Sequence, residues 1–194
     1  MTSPSSQFDA AYYKRFYTDT ETRAVTAGEQ RRLSGFIAAY LEYLELPISS
    51  IVDVGCGIGT MLDALAKALP DAHVEGIEIS DYLCDRHGWV QGSVTDYDYP
   101  ADLTLCADVI AYLNARDASQ AIENLAVNTR SALYLSVLTE DDLEVCDTQR
   151  TDMTQNLRPA AWYKRRLARH FVAVGGGLFL RKPLSIAVWQ LERT

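Results

Sequence analysis

The stretch Ile51-Val52-Asp53-Val54-Gly55-Cys56-Gly57-Ile58-Gly59-Thr60 constrains this chain more than any other. A β-branched run over residues 50–54 ends in three alternating glycines, and apolar residues then return at helical spacing over 61–69. This passage reads as a buried strand, a tight turn and a helix. The glycines stand where the backbone must turn sharply or let a ligand come close, and the helix that follows offers free N–H groups. In an open α/β sheet, ligands gather at the carboxyl ends of such strands.

The rest of the chain repeats the alternation. Further strands are expected at 73–79, 89–91, 102–109 and 132–138, with helices at 82–87, 118–127 and from Pro159 to about residue 170. Residues 171–174 and 178–180 read as one strand interrupted by Gly175, Gly176 and Gly177, and 184–191 as a last strand. Before the first strand, residues 1–7 are rich in Ser, Thr and Pro and are expected to fray. Tyr12, Tyr13, Phe16 and Tyr17 then form two i,i+4 aromatic pairs on a short helix, and an apolar stripe predicts a second helix over 29–46, stopped by Pro47. Strands and helices joined by short links imply an α/β protein, a mostly parallel, doubly wound sheet covered on both faces. The reading is one domain: a helical cap or lid over 1–47 and a sheet core over 48–194.

Charge narrows the partners. Eighteen Lys and Arg against 26 Asp and Glu leave a net charge of −8, a poor match for DNA. The four cysteines are scattered, with no metal-ligand spacing, and read as reduced thiols. No metal is expected. The start lacks a signal-peptide pattern and no run of apolar residues is long enough to span a membrane, so a cytoplasmic protein is expected.

Two carboxylates sharpen the glycine turn. Asp53 would repel a pyrophosphate yet stabilise an ammonium or sulfonium. The glycines run G-x-G-x-G and lack the last element of the dinucleotide pattern, which argues against a nicotinamide oxidoreductase. Glu78 ends the second strand about 20 residues on, where a carboxylate can accept both ribose hydroxyls.

With these residues the sequence resembles the class I S-adenosylmethionine-dependent methyltransferases, whose glycine motif reads like Asp53 to Gly59 here. The resemblance implies a single seven-stranded Rossmann-like domain with strand order 3-2-1-4-5-7-6, the seventh antiparallel. It further implies S-adenosylmethionine as cofactor, with Asp53, Gly55, Cys56 and Gly57 around its methionine moiety. Glu78, with Ile79 beside it, would hold the ribose, and Ser93 and Val94 would border adenine, although the family often carries an acid where Ser93 stands. Ala107 and Asp108, at the end of the fourth strand, would face the sulfonium and the acceptor, and Tyr13 would close over the cofactor.

The acceptor is expected to be a small or medium-sized molecule methylated at oxygen or nitrogen. Positive charge gathers after the fifth strand, so a carboxylate or phosphate on it would suit Arg150 and Arg158. Tyr112 and Trp162 are candidates to wall an aromatic acceptor. Asp108 and His170 are the candidate bases, needed only if the acceptor arrives protonated. The rivals are a non-catalytic cofactor- or partner-binding module of the same fold and a methyltransferase for protein or RNA, the latter requiring a contiguous basic surface.

Overall fold

The computed structural model describes residues 7–193; residues 1–6 of the stretch expected to fray lie outside them. Seven strands, β1 (Ser50–Val54), β2 (His73–Glu78), β3 (Val90–Gln91), β4 (Ala101–Ala107), β5 (Thr129–Ser136), β6 (Phe171–Ala173) and β7 (Leu178–Arg181), form one sheet. Their order is β3-β2-β1-β4-β5-β7-β6. β1 to β5 pair in parallel, and β7 runs antiparallel to both β5 and β6. The α-helices among the described residues are α1 (Ala10–Tyr13), α2 (Ala27–Tyr43), α3 (Thr60–Ala68), α4 (Asp81–His87), α5 (Ala115–Asn128) and α6 (Ala160–Leu167).

Strand periodicity divides the interior in two. Ile51, Leu103, Leu105, Ala132 and Tyr134 point to one face, where Ile37 and Leu41 of α2 and Leu62 and Leu65 of α3 cover them. Their chain neighbours Val52, Val54, Cys106, Leu133 and Leu135 point to the other, beneath Ile122 and Leu125 of α5 and Tyr163 and Leu167 of α6. Each central strand is therefore apolar at nearly every position, as a sheet covered on both sides requires. Helix α2 starts at a capping box: the Thr26 hydroxyl accepts from the Glu29 N–H, and Glu29 accepts from the Thr26 N–H. It packs on the sheet, so within the expected 1–47 cap only the chain around α1 stands over the strand ends.

Three expectations need correction. The glycine run does not interrupt one strand. Gly175, Gly176 and Gly177 all adopt positive φ, and three left-handed residues in succession reverse the chain, making β6 and β7 a hairpin. Residues 184–191 form no strand. Partners β5 and β6 already flank β7, and the segment instead lays Leu184, Ile186 and Val188 on the α2 side of the core before a short 3-10 turn at Gln190–Glu192. The expected order of strands thus holds with different residues supplying the last two. Pro159 stands just ahead of α6 with ψ 143°, extended backbone outside the first turn, and α6 ends at Leu167, before residue 170.

Among the described residues no helix is long and apolar enough to cross a membrane, no cluster of His, Cys, Asp or Glu can hold a metal ion, and the four cysteines are free.

Candidate active site

The turn after β1 is built by its glycines. Gly55, Gly57 and Gly59 take φ of 78°, 56° and 77°, a region that side-chain-bearing residues enter at a cost of roughly 1–2 kcal/mol. Gly55 also lacks room, since a Cβ there would stand 2.2 Å from Val109 Cγ2. A residue on the far side of the turn pins it: the Trp89 indole N–H donates to Gly57 O at 3.0 Å, and its ring lies against Gly59 and Gly76.

Glu78 closes the same turn from β2. Its Oε2 accepts from the Gly57 N–H at 2.8 Å, and its Oε1 accepts from the N–H groups of Ile79 and Ser80 and from the Tyr13 hydroxyl at 3.4 Å. Asp53 lies beneath the turn, 4% exposed. Burial, with the Glu78 charge adding to it, pushes its carboxyl up to about 7. Among the described residues no ion pair reaches Asp53, Glu78 or Asp108. The carboxylates by the turn therefore remain free to stabilise a cation.

Beyond the turn the wall is aromatic. Residues 14–18 form a single π turn after α1, so Tyr12 meets both Phe16 (4.9 Å between ring centres) and Tyr17 (6.4 Å), while Tyr13 meets Tyr17 (5.3 Å). Phe8 sits edge-on to Tyr12 and to Tyr112. The Tyr112 hydroxyl donates to Asp152 at 3.0 Å, accepts from the Gln155 amide at 3.3 Å, and lies 2.7 Å from the Tyr12 hydroxyl, which must therefore donate to it. Burial holds the phenols of Tyr12, Tyr13, Tyr17 and Tyr112 above their ordinary range, so they stay protonated.

These parts enclose one cavity at the carboxyl ends of β1, β2 and β4. With its open mouth it measures about 790 Å³. Gly55, Gly57, Glu78, Ile79, Ser93, Val94, Ala107 and Tyr13 line it, as do Asp108, Tyr112, Phe8 and Tyr17.

Residues 51–131 match the family model of a methyltransferase domain, a span that holds the glycine turn, Glu78, Asp108 and Tyr112. Among solved structures, DesVI of Streptomyces venezuelae is 15% identical with a TM-score of 0.59, covering 79% of this chain and 92% of that one. The magnesium protoporphyrin IX methyltransferase of Synechocystis PCC 6803, solved with bound SAH (S-adenosylhomocysteine), is 17% identical with a TM-score of 0.56, covering 78% and 83%. CalS10, an amino pentose methyltransferase from Micromonospora echinaspora solved with bound SAM (S-adenosylmethionine), is 15% identical with a TM-score of 0.57, covering 79% and 92%. Residues 51–131 thus carry a methyltransferase domain, on a fold shared with these class I enzymes. A comparison with curated protein sequences gave no match.

Two of the residues expected around the cofactor are off the cavity wall: Asp53 lies beneath the turn, and Cys56 is buried. The expected acceptor residues divide. Tyr112 is on the wall, but Arg150 is exposed and pairs with Asp147. Arg158 is buried, donating to the carbonyls of Asn156 and Leu113 and to the Tyr163 hydroxyl. The guanidinium groups of Arg158 and Arg166 stand 5.1 and 3.5 Å from the centre of the Trp162 ring. His170 lies 2.9 Å from Glu123 on α5, off the hydrogen-bond direction and away from the cavity. Phe8, Tyr17, Asp152, Gln155 and Trp89 were not anticipated. One signal was present: five of the ten residues 8–17 are aromatic, more than one buried helix face needs.

Proposed function

We propose that this methyltransferase binds S-adenosylmethionine at the glycine-turn end of the cavity and methylates oxygen or nitrogen of a small or medium-sized acceptor at the aromatic end. The observation that carries the reading is the cavity itself, which joins Gly55, Gly57, Glu78, Ser93 and Val94 to Asp108 and Tyr112 on one continuous wall. When bound, the cofactor supplies a methyl group on a positively charged sulfur. The chain's residues suit it. The Cβ-free Gly57 lets a ligand approach beneath the Tyr13 ring, and Glu78, fixed by backbone N–H groups, keeps one lone pair on Oε2 for a ribose hydroxyl. Asp53 sets a negative potential under the turn that favours an ammonium.

What the protein contributes to the transfer is alignment. Methyl transfer is an in-line displacement, so holding two reactants in one enclosed space supplies much of the acceleration. Phe8, Tyr12 and Tyr112 wall the space where an acceptor would sit. The similar structures include enzymes named for an amino pentose and for magnesium protoporphyrin IX, acceptors of the size proposed. Of the basic residues after β5, Arg158 and Arg166 stack on Trp162 and Arg169 pairs with Glu123. Those engagements disfavour an RNA or protein acceptor. Calorimetry with SAH tests the first half: a single saturable site is expected, and a flat trace would refute it. Incubation with SAM and a fractionated small-molecule extract, read by mass spectrometry for a product heavier by one methylene, tests the second.

A further inference from the structure

The acceptor end of the cavity carries one sign of charge. Among the described residues lining it there is no lysine, arginine or histidine, and residues 1–6 and 194 contain none either. The carboxylate that faces this end is Asp108. It leaves β4 with φ 58°, a left-handed conformation that aspartate and asparagine tolerate better than other side chains. Its N–H donates to Ser136 O at 3.0 Å, and the Ser136 hydroxyl donates to its Oδ1 at 3.3 Å. No donor among the described residues reaches Oδ2. Glu78, by contrast, already receives three N–H groups and a phenol, so Asp108 is the wall carboxylate left for an acceptor.

Aromatic side chains share the cavity wall with that carboxylate. The Asp108 charge reaches the phenols of Tyr12 and Tyr17, and Phe8 and Tyr112 line the same cavity. An anionic acceptor would enter this space beside a like charge and with no counterion. A cation would find ring faces and a carboxylate together.

Resting on the cofactor reading above, we propose that the acceptor is an amine that enters as its ammonium, held by the rings of Phe8, Tyr12, Tyr17 and Tyr112 and by the Asp108 carboxylate. The ammonium passes one proton to Asp108 Oδ2, and the nitrogen lone pair so released becomes the nucleophile. As the new C–N bond forms, the methyl–sulfur bond breaks and its electron pair stays on sulfur, so positive charge moves from sulfur to nitrogen. Asp108 then loses its proton to water at the cavity mouth. Desolvation in the cavity wall raises the Asp108 carboxyl above the usual carboxylate range, the direction a proton acceptor for an ammonium requires. The titratable or hydrogen-bonding groups around it are Tyr12, Tyr17, Tyr134, Cys106 and Ser136, all uncharged in their ordinary protonated forms.

The test uses the full chain saturated with SAH, whose sulfur is uncharged, so any preference for a cation belongs to the protein. Benzylammonium, benzyl alcohol and benzoate are titrated in turn by calorimetry at millimolar concentration. Benzylammonium is expected to bind at least about tenfold more tightly than benzoate, and Asp108→Asn, which keeps the backbone conformation, to reduce that preference to about threefold or less. A second variant, Tyr17→Leu, is expected to weaken benzylammonium about fivefold, and by more than it weakens SAH. Equal binding of the three, tighter binding of benzoate, no binding of any, or a preference that survives both substitutions would overturn the proposal. Should SAH itself fail to bind, the cofactor reading falls; the same three titrations on the ligand-free chain then judge the amine separately.

Discussion

The two ends of the cavity are made in different ways. At the glycine turn the backbone does the work: positive φ values, a chain of N–H donors on one carboxylate and an indole wedged against two glycines. At the aromatic end the surface is side chain, brought from three separated places and joined by hydroxyl groups. Tyr12 and Tyr112 are 100 residues apart, and Tyr112 and Asp152 are 40 apart. A turn built from backbone tolerates few substitutions and serves one ligand. A wall built from side chains can be rebuilt position by position, which suits a fold that must accept many different acceptors.

The sharpest break in this comparison comes at Gly55. Gly55→Ala meets both a strained φ and Val109, and it is expected to cost about 2–4 kcal/mol of stability and to weaken SAH by about 100-fold or more. Adding Val109→Ala relieves the collision and leaves the backbone strain, so thermal melts of the double variant are expected to recover part of the loss. An effect of the same size on the acceptor end would require the two ends to be one rigid unit.

Asp53 sharpens the comparison through pH. Its carboxyl sits at about 7 in the folded chain, against about 4 for an ordinary aspartate. Between those values the folded state holds a proton that the unfolded state has released. The stability that this group contributes is therefore fully present below about pH 4 and is lost as pH rises through about 7. Urea melts at about pH 5 and about pH 8 are expected to show wild type losing up to about 3 kcal/mol relative to Asp53→Asn. SAH affinity is expected to rise over the same window in wild type and to stay flat in the variant. Parallel pH profiles for the two proteins would remove Asp53 from the cofactor end.

Tyr112→Phe probes the other end. It strips the acceptor from Tyr12 and Gln155 and the donor from Asp152, at a cost of about 1–2 kcal/mol. Turnover of a methyl acceptor is expected to fall about tenfold through KM, with SAH affinity changed less than about twofold. The smallest effect is expected at His170. Because its partner is Glu123 and not the cavity, His170→Ala is expected to keep kcat/KM within about twofold of wild type and to move stability by less than about 1 kcal/mol.

The same contrast explains what could be read from the chain before its structure was known. Residues 50–59 declare themselves because strand, turn and helix follow one another locally, and Glu78 is found by its distance along the next strand. Tyr112 could be nominated, but Asp152 and Gln155 could not, because nothing local ties them to a tyrosine 40 residues earlier. Arg158 and Trp162 misled for a related reason: composition marks a basic and aromatic segment, whereas only packing shows the guanidinium satisfied by carbonyls and stacked on the indole. The reversal at Gly175, Gly176 and Gly177 was hidden because three glycines permit continuation and reversal alike. The Phe36 ring over Gly176, and the absence of room for a Cβ there, belong to the folded state.

Trp89 carries a practical consequence. Of the three tryptophans, Trp189 is largely exposed and Trp162 is stacked with arginines, whereas Trp89 rests on Gly59 and Gly76 and bonds to the Gly57 carbonyl. Any ligand that settles on that turn shifts the dipoles around a single indole. Its emission is therefore a built-in gauge of occupancy, readable in unlabelled protein once the other two fluorophores are replaced by phenylalanine.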